Sequence, residues 1–442
     1  MPLQKRYDFI ICGAGSSGSV VARRLAEDPH VSILLVEAGG SDDVPEVQDP
    51  LQWPANIGSE RDWAFASVPE VQLNGRSLPL SMGKVLGGGS GINVMVWARG
   101  HKSDWDYYAE QTKDPSWSYA SVLEIYKRIE DWHGTPDPAF RGSGGPVFVQ
   151  PPTAPGPLGA ATLEAAKSVG IPVFESQNGL MMEGDGGAAR MDLIIKDGQR
   201  RSIYRAYVAP FLDRPNLTVL SNTLVTRLIF EGKRVTGVEI ANEGKTRRVA
   251  ANLEVVVSLG AIQTSRLLMQ SGIGDAEHLK QFSIPLVQHL PSVGKNLQDH
   301  VNFGCTWESQ EPIARDNNVS ATTLYWKSNP SLEAPDLMHC QAALPVPNPD
   351  TAYLGSTENG WTTFAGVVRP HSRGLVSLTG PDPDDPLHIR TNALTNPDDV
   401  KAALATVALC REIGNAPPLS AIGKREIIPG KLQREDLPEV SS

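Results

Sequence analysis

At 442 residues, 40% hydrophobic and 20% charged, the chain has an ordinary globular balance with room for more than one core. Its formal net charge of −10 argues against a general nucleic-acid binder, which needs a basic stripe to neutralise phosphates, and against an anionic membrane surface as partner. The four cysteines, Cys12, Cys305, Cys340 and Cys410, form no CxxC pair and predict neither a disulfide framework nor a metal site. The first apolar run breaks at Gly13, too short for a signal sequence, and no run approaches the roughly 20 residues that span a bilayer, so a cytoplasmic location is expected.

Tyr7 to Cys12 reads as a short buried strand. It runs into Gly13, Gly15 and Gly18, the spacing G-x-G-x-x-G, and then into a helix from Ser19 to Ala26. A second strand, Val31 to Val36, ends at Glu37, nineteen residues after Gly18. Gly13 permits the tight turn, Gly15 lets a pyrophosphate approach the main chain, and Gly18 lets helix and strand pack closely. The helix N-terminus offers N–H groups to phosphate. The carboxylate at the strand end suits ribose hydroxyls and repels a 2′-phosphate, which disfavours NADP. A glycine-rich turn in an unrelated α/β domain would leave this strand–turn–helix–strand–acid context unexplained.

The next glycine-rich stretch is "GKVLGGGSGINVMVWARG" from Gly83, with four glycines in positions 87 to 91. It suits a loop laid flat under a large rigid ligand, with Ser90 and Asn93 free to bond a phosphate or a ring edge. The alternative is a loop that packs on itself. A second glycine-rich contact 70 residues after the first suits a long dinucleotide such as FAD better than NAD.

Pro151 to Gly159 reads as a linker and "TLEAAKSVG" as a helix ending at Gly170. From Arg200 a helix and three strands follow, with a turn at Asp213 to Pro215 and a hairpin at Glu231 to Lys233. "LEVVVSLGA" predicts a buried strand that places Ser258, Gly260 and Ala261 at its carboxyl end, where open α/β sheets bind ligands. Leu267, Leu268 and Met269 read as core. Beyond His300, strands within 317–326, 334–346, 360–370 and 374–380 suggest an antiparallel sheet that covers the ligand. A long loop from Asn348 to Gly360 and a helix capped by Asn396 or Asp398 complete the pattern. His133 and His371 read as surface residues, and His300 as a structural hydrogen-bonding residue. Trp97, Trp105, Trp117 and Trp132 read as core fillers, and Asp382 to Asp385 as a solvated turn, with no metal expected.

These segments together resemble the glucose-methanol-choline oxidoreductases, FAD-dependent alcohol oxidases and dehydrogenases. Gly83 to Asp106 and Gly260 to Gly274 ("GAIQTSRLLMQSGIG") carry the likeness, supported by Val293 to His300 and by the N-terminal glycine motif with "LLVEAGG". The run to "INVMVWARGH" most resembles choline-dehydrogenase-like bacterial members. The resemblance implies an α/β protein (α+β overall): a Rossmann-like FAD-binding domain, 1–155 and 205–305, and a second antiparallel-sheet substrate domain, 156–204 and 306–442, C-terminally incomplete. It implies non-covalent FAD, since the amide of Asn93 cannot form the link that a histidine makes to the flavin in some members. Met82 stands where arginine is common. The expected cofactor contacts are Gly13, Gly15, Ser16, Ser17, Gly18, Glu37, Ala38, Gly83, Val85, Gly88, Ser90, Asn93, Val94, Met95, Val96, Val225, Ser258 and Gly260, with Val225 meeting the adenine through its backbone.

The implied chemistry is oxidation of a small-molecule alcohol: a base takes the hydroxyl proton while hydride passes to flavin N5. Oxygen or another carrier is the expected electron acceptor. The family's histidine base lies in a late strand, and no histidine follows His388 here, so no catalytic residue is assigned and a missing C-terminal segment is expected. The competing readings are a non-catalytic flavin-binding remnant, a non-redox or light-driven use of the fold such as hydroxynitrile lysis or fatty-acid photodecarboxylation, and a nicotinamide dehydrogenase, which the second loop disfavours.

Overall fold

A computed structural model describes residues 3–153, 156–315, 317–346, 353 and 355–430. The chain divides into two units, Met1–Met95 with Lys196–Gln298 and Ser372–Thr395, and Val96–Ile195 with Asp299–His371 and Asn396–Ser442.

In the first unit, β1 (Arg6–Cys12) alternates its side chains between two clusters. Ile10 and Cys12 join Leu34 and Val36 of β2 (Ile33–Val36) on one face, while Ile11 joins Ile33, Leu35 and Ala22 on the other. Ala22 belongs to α1 (Ser16–Leu25). This helix begins three residues before the position expected from sequence. Gly18 therefore sits inside its first turn, where a side chain would strike the Gly13 carbonyl.

Four further strands complete the sheet: β3 (Leu217–Leu220), β4 (Leu224–Glu231), β5 (Arg234–Asn242) and β6 (Lys245–Val257). Their order is β3-β2-β1-β6-β5-β4. Pairings from β3 through β1 to β6 are parallel, and β6, β5 and β4 continue as an antiparallel ribbon. The expected helix and three strands after Arg200 are present, with the hairpin at Glu231–Arg234. The strand expected as buried from Leu253 is less so: Leu253 is 57% exposed, because this stretch of β6 runs from the ribbon into the sheet. Helix α3 (Gly260–Gln270) follows at the carboxyl end of β6, its Leu267 packed into the same cluster as Ile10 and Cys12. The 374–378 strand, expected in the antiparallel sheet after His300, instead pairs with Lys295–Leu297 and Leu387–Arg390, where Val376 and Ile389 cluster with Ile262.

The second unit carries a seven-stranded sheet that includes Val301–Ser309, Gly360–Val367, Leu337–Ala342 and Thr322–Trp326, antiparallel throughout these neighbours. Trp307 and Trp361 stack at 5.7 Å in its core, beneath the helices Pro157–Ser168 and Pro397–Gly414. The first of these helices starts inside the stretch read as a linker, because Pro157 takes the first helical position, where its missing N–H costs nothing. Asn396 caps the second by accepting the Asp398 N–H. Residues 348–352 and 354 of the loop from Asn348 to Gly360 lie outside the described residues.

The four tryptophans read as core fillers are not fully buried, and Trp117 is 46% exposed. Trp97 and Trp105 meet Tyr126 edge-on, Trp117 meets Tyr108, and Trp132 lies under the Arg141 guanidinium. Arg141 and Arg99 flank Glu130, which is fully buried, and Arg141 also pairs with buried Asp192 at 2.7 Å. His133, His300 and His371 are exposed. Among the described residues no helix is long and apolar enough to cross a membrane, and no cluster of His, Cys, Asp or Glu is arranged to hold a metal.

Candidate cofactor site

The parallel strands of the first unit end at one edge, and the loops leaving them line a cavity of roughly 430 Å³, within the usual range of about 300–1,000 Å³ for small-ligand sites. Its floor is main chain. Gly13 turns at φ +97°, and a Cβ there would stand 2.6 Å from the Ser258 carbonyl oxygen. A Cβ on Gly88, at φ +52°, would stand 2.8 Å from the Gly15 Cα, so the two glycine-rich loops lie backbone against backbone. A Cβ on Gly83 would meet the Gly88 carbonyl, and one on Gly91 the Val85 side chain. The second loop thus packs on itself and on the first. Gly89 differs: it lines the cavity, and nothing lies within 4 Å of where its Cβ would stand.

Two helices start at this floor. Neither α1 nor α3 has a side-chain cap on its first N–H groups, and Gly15, Ser16, Ser17, Gly260 and Ala261 all line the cavity. Uncapped donors and two positive dipole ends directed at one cavity favour an anionic group such as a diphosphate.

Glu37 is 6% exposed. Its carboxylate accepts the Ala14 and Gly39 N–H groups, each at 2.9 Å, and so pins the glycine turn to the end of β2. Burial raises its pKa, while the backbone N–H groups of Gly39, Ala14 and Ala38 and the charge of Lys84 pull it back. The Glu37 carbonyl accepts the Thr223 N–H, which brings Thr223, Leu224 and Val225 beside it on the cavity wall. Along α3, Gln263, Arg266, Leu267 and Gln270 present one helical face to the cavity. Gln263 is 7% exposed, yet its side-chain nitrogen has no partner among the described residues. A buried donor in that state is costly unless a ligand accepts from it. The backbone floor, the uncapped helices and this waiting donor fit a dinucleotide.

Of the residues expected from sequence, Gly13, Gly15, Ser16, Ser17, Glu37, Ala38, Gly83, Gly88, Asn93, Val225, Ser258 and Gly260 line the cavity. Gly18, Val85, Ser90, Val94, Met95 and Val96 do not. Ser90 is buried and spends its hydroxyl internally, donating to the Gly87 carbonyl at 2.7 Å and accepting the Ile203 N–H at 3.0 Å. Val96 belongs to the second unit. Sequence reasoning missed Trp63, Phe65, Gln263 and Arg266, and gave no weight to Met82, all of which line the cavity. The helical spacing of Gln263 and Arg266 was the available signal for those two. Trp63 precedes and Phe65 opens a two-residue strand, Phe65–Ala66, in a stretch with no motif of its own.

A GMC oxidoreductase family model matches residues 7–302, and a second of the same description matches 370–442. The chain is 36% identical to an oxygen-dependent choline dehydrogenase of Rhizobium etli, over 97% of this chain and 81% of that protein, and 35% identical over the same shares to one of Sinorhizobium medicae. Among solved structures, pyridoxine 4-oxidase from Mesorbium loti superposes with a TM-score of 0.89 at 29% identity, covering 97% of this chain and 84% of that one. A formate oxidase of Aspergillus oryzae, 23% identical, superposes at 0.87 over 96% of this chain and 84% of its own, which speaks to fold alone.

Proposed function

The chain belongs to the GMC oxidoreductase family, and from that premise we propose that it oxidises a small primary alcohol of the choline type. The coarser function is that of the family: FAD-dependent oxidation of CH–OH groups. Likeness to choline dehydrogenases over nearly the whole chain is the single observation that carries the finer reading. A second reading, a hydroxymethyl group on an aromatic ring, draws on the likeness to pyridoxine 4-oxidase.

FAD, when bound, supplies the two-electron acceptor. The chain's own residues supply placement. In this reading the first N–H groups of α1, at Ser16 and Ser17, receive the diphosphate, and Glu37 receives the adenosine ribose beside the Val225 backbone. Gly88 and Gly89 keep the floor flat, and Asn93 meets the cofactor beyond them. Asn93 has no nucleophile to offer the flavin, so the cofactor is held without a covalent bond. The electron acceptor is oxygen or another carrier.

The test is a spectrum of the purified protein, mixed without oxygen with choline and, separately, with pyridoxine. Bleaching of the flavin band by choline supports the first reading, and bleaching by pyridoxine alone supports the second. A bound flavin that neither alcohol bleaches would favour a non-catalytic flavin-binding role.

A further inference from the structure

Arg200 closes a two-residue strand after Gln199 and is 3% exposed. Its Nε donates to the Val47 carbonyl at 2.8 Å. Its Nη1 donates to the Ser90 carbonyl at 3.2 Å and to Asn93 Oδ1 at 2.9 Å, while its buried Nη2 has no partner among the described residues. Burial alone moves its pKa, down to about 10, so the guanidinium stays cationic at neutral pH, and no carboxylate among the described residues offsets it. An unpaired charge in the interior is costly unless an anionic or electron-rich group comes near it.

The clamp on Asn93 has a second consequence. Asn93 Oδ1 also accepts the Met95 N–H at 3.0 Å, from a residue held at φ +60°. Two donors on one atom identify that atom as the amide oxygen. The NH₂ end of Asn93 is therefore the free end, it makes no hydrogen bond among the described residues, and Asn93 lines the cavity. Glu37, Thr223 and Val225 mark the adenosine end of that cavity, and the Gly15–Gly88 contact marks the diphosphate. Asn93 lies one short helical turn beyond Gly88, after α2 (Gly89–Ile92). An extended FAD that satisfies the first two positions brings its isoalloxazine to the third.

We propose that Arg200 is a positioning residue for the bound flavin: by holding Asn93 Oδ1 it turns the Asn93 amide N–H toward the isoalloxazine. This rests on FAD as the cofactor. The test uses reconstituted holoprotein of the wild type and of Asn93→Asp, Arg200→Met and Arg200→Lys. Three quantities are read: the flavin midpoint potential, the FAD dissociation constant, and the affinity of the apoprotein for ADP. Asn93→Asp keeps an acceptor for Arg200 but places a carboxylate oxygen where the donor was. Its reduction equilibrium should fall at least tenfold, about 30 mV for a two-electron couple. Arg200→Met should shift in the same direction, with Arg200→Lys between it and the wild type, and ADP affinity should not change. A purely structural Arg200 would lower the melting temperature and leave every potential where it was, which overturns the proposal. Loss of ADP affinity in Asn93→Asp that matches its loss of FAD would place the contact at the diphosphate and overturn it too. A wild type that refuses FAD fails at the control, and the cofactor reading fails with it.

Discussion

Glu37→Gln isolates the link between one buried carboxylate and the shape of the dinucleotide turn. Both Glu37 oxygens accept backbone N–H groups, from Ala14 and Gly39, at 2.9 Å each. The amide has the same outline but only one acceptor, and its NH₂ must face one of those N–H groups. Leaving a buried donor unsatisfied costs about 1–3 kcal/mol, and exchanging a charged for a neutral acceptor on the other bond costs about 1 kcal/mol more. The loss of about 2–4 kcal/mol falls on the Gly13–Gly15 turn. If half of it reaches the ligand, FAD affinity drops by about five- to thirtyfold, at about 1.4 kcal/mol per decade. Fluorescence titration of the apoprotein with FAD measures this, and thermal unfolding of the same sample measures the remainder. The pH arm follows from the direction of the Glu37 shift. Burial raises its pKa in the folded state, so between the ordinary glutamate value and that raised one the native protein holds a proton that the unfolded chain has lost. Its contribution to stability is present below the unfolded value and is lost as pH rises through the folded one. In Glu37→Gln that slope is absent, so the gap between wild type and variant narrows as pH rises through this window. A variant with wild-type FAD affinity and wild-type melting temperature at neutral pH would refute the reasoning.

Gly18→Ala places a methyl 1.9 Å from the Gly13 carbonyl oxygen and 2.7 Å from Ser258 Oγ; overpacking of this kind costs about 1–3 kcal/mol, and a lower apoprotein melting temperature is expected. Gly89→Ala meets nothing within 4 Å among the described residues and stands in the cavity; the apoprotein should melt as the wild type does while FAD binding weakens, a pairing that calorimetry and fluorescence read together. In the second unit, Glu130→Gln leaves Arg99 and Arg141 facing a neutral group in a fully buried site; breaking such a pair from one side costs about 3–5 kcal/mol, and denaturant unfolding should show the loss.

The sheet around β1 was legible because its code is short-range. The short apolar run from Tyr7 to Cys12, glycines at fixed offsets and an acid at the end of the next strand each act within a few residues of one another, and each kept its expected place. The start of α1 was read late because a glycine inside a helix normally argues against one. Here Gly18 is demanded by the Gly13 backbone beneath it, the close packing that the G-x-G-x-x-G spacing itself predicts, and the helix runs through it. A different limit explains the 374–378 strand: its own residues predict a strand well, but its partners at Lys295–Leu297 and Leu387–Arg390 are a tertiary choice.

The glycine cluster after Gly83 shows where sequence reading divides function from architecture too simply. A flat loop under a ligand and a loop packed on itself look like alternatives on paper, and the structure makes one the means of the other. Gly83 and Gly88 are consumed by backbone contacts, and Gly91 by the Val85 side chain, as the loop comes down onto Gly15; this packing leaves Gly89 facing the cavity with none of the described residues opposite it. The polar residues divide in the same way. Ser90, the obvious phosphate ligand by type, spends its hydroxyl tying the loop to Gly87 and Ile203, while Arg200, more than a hundred residues away, supplies the charge beneath it. No pattern local to residues 83–100 reports that arrangement. It follows from a buried guanidinium that holds the Ser90 carbonyl and Asn93 Oδ1 from outside the loop.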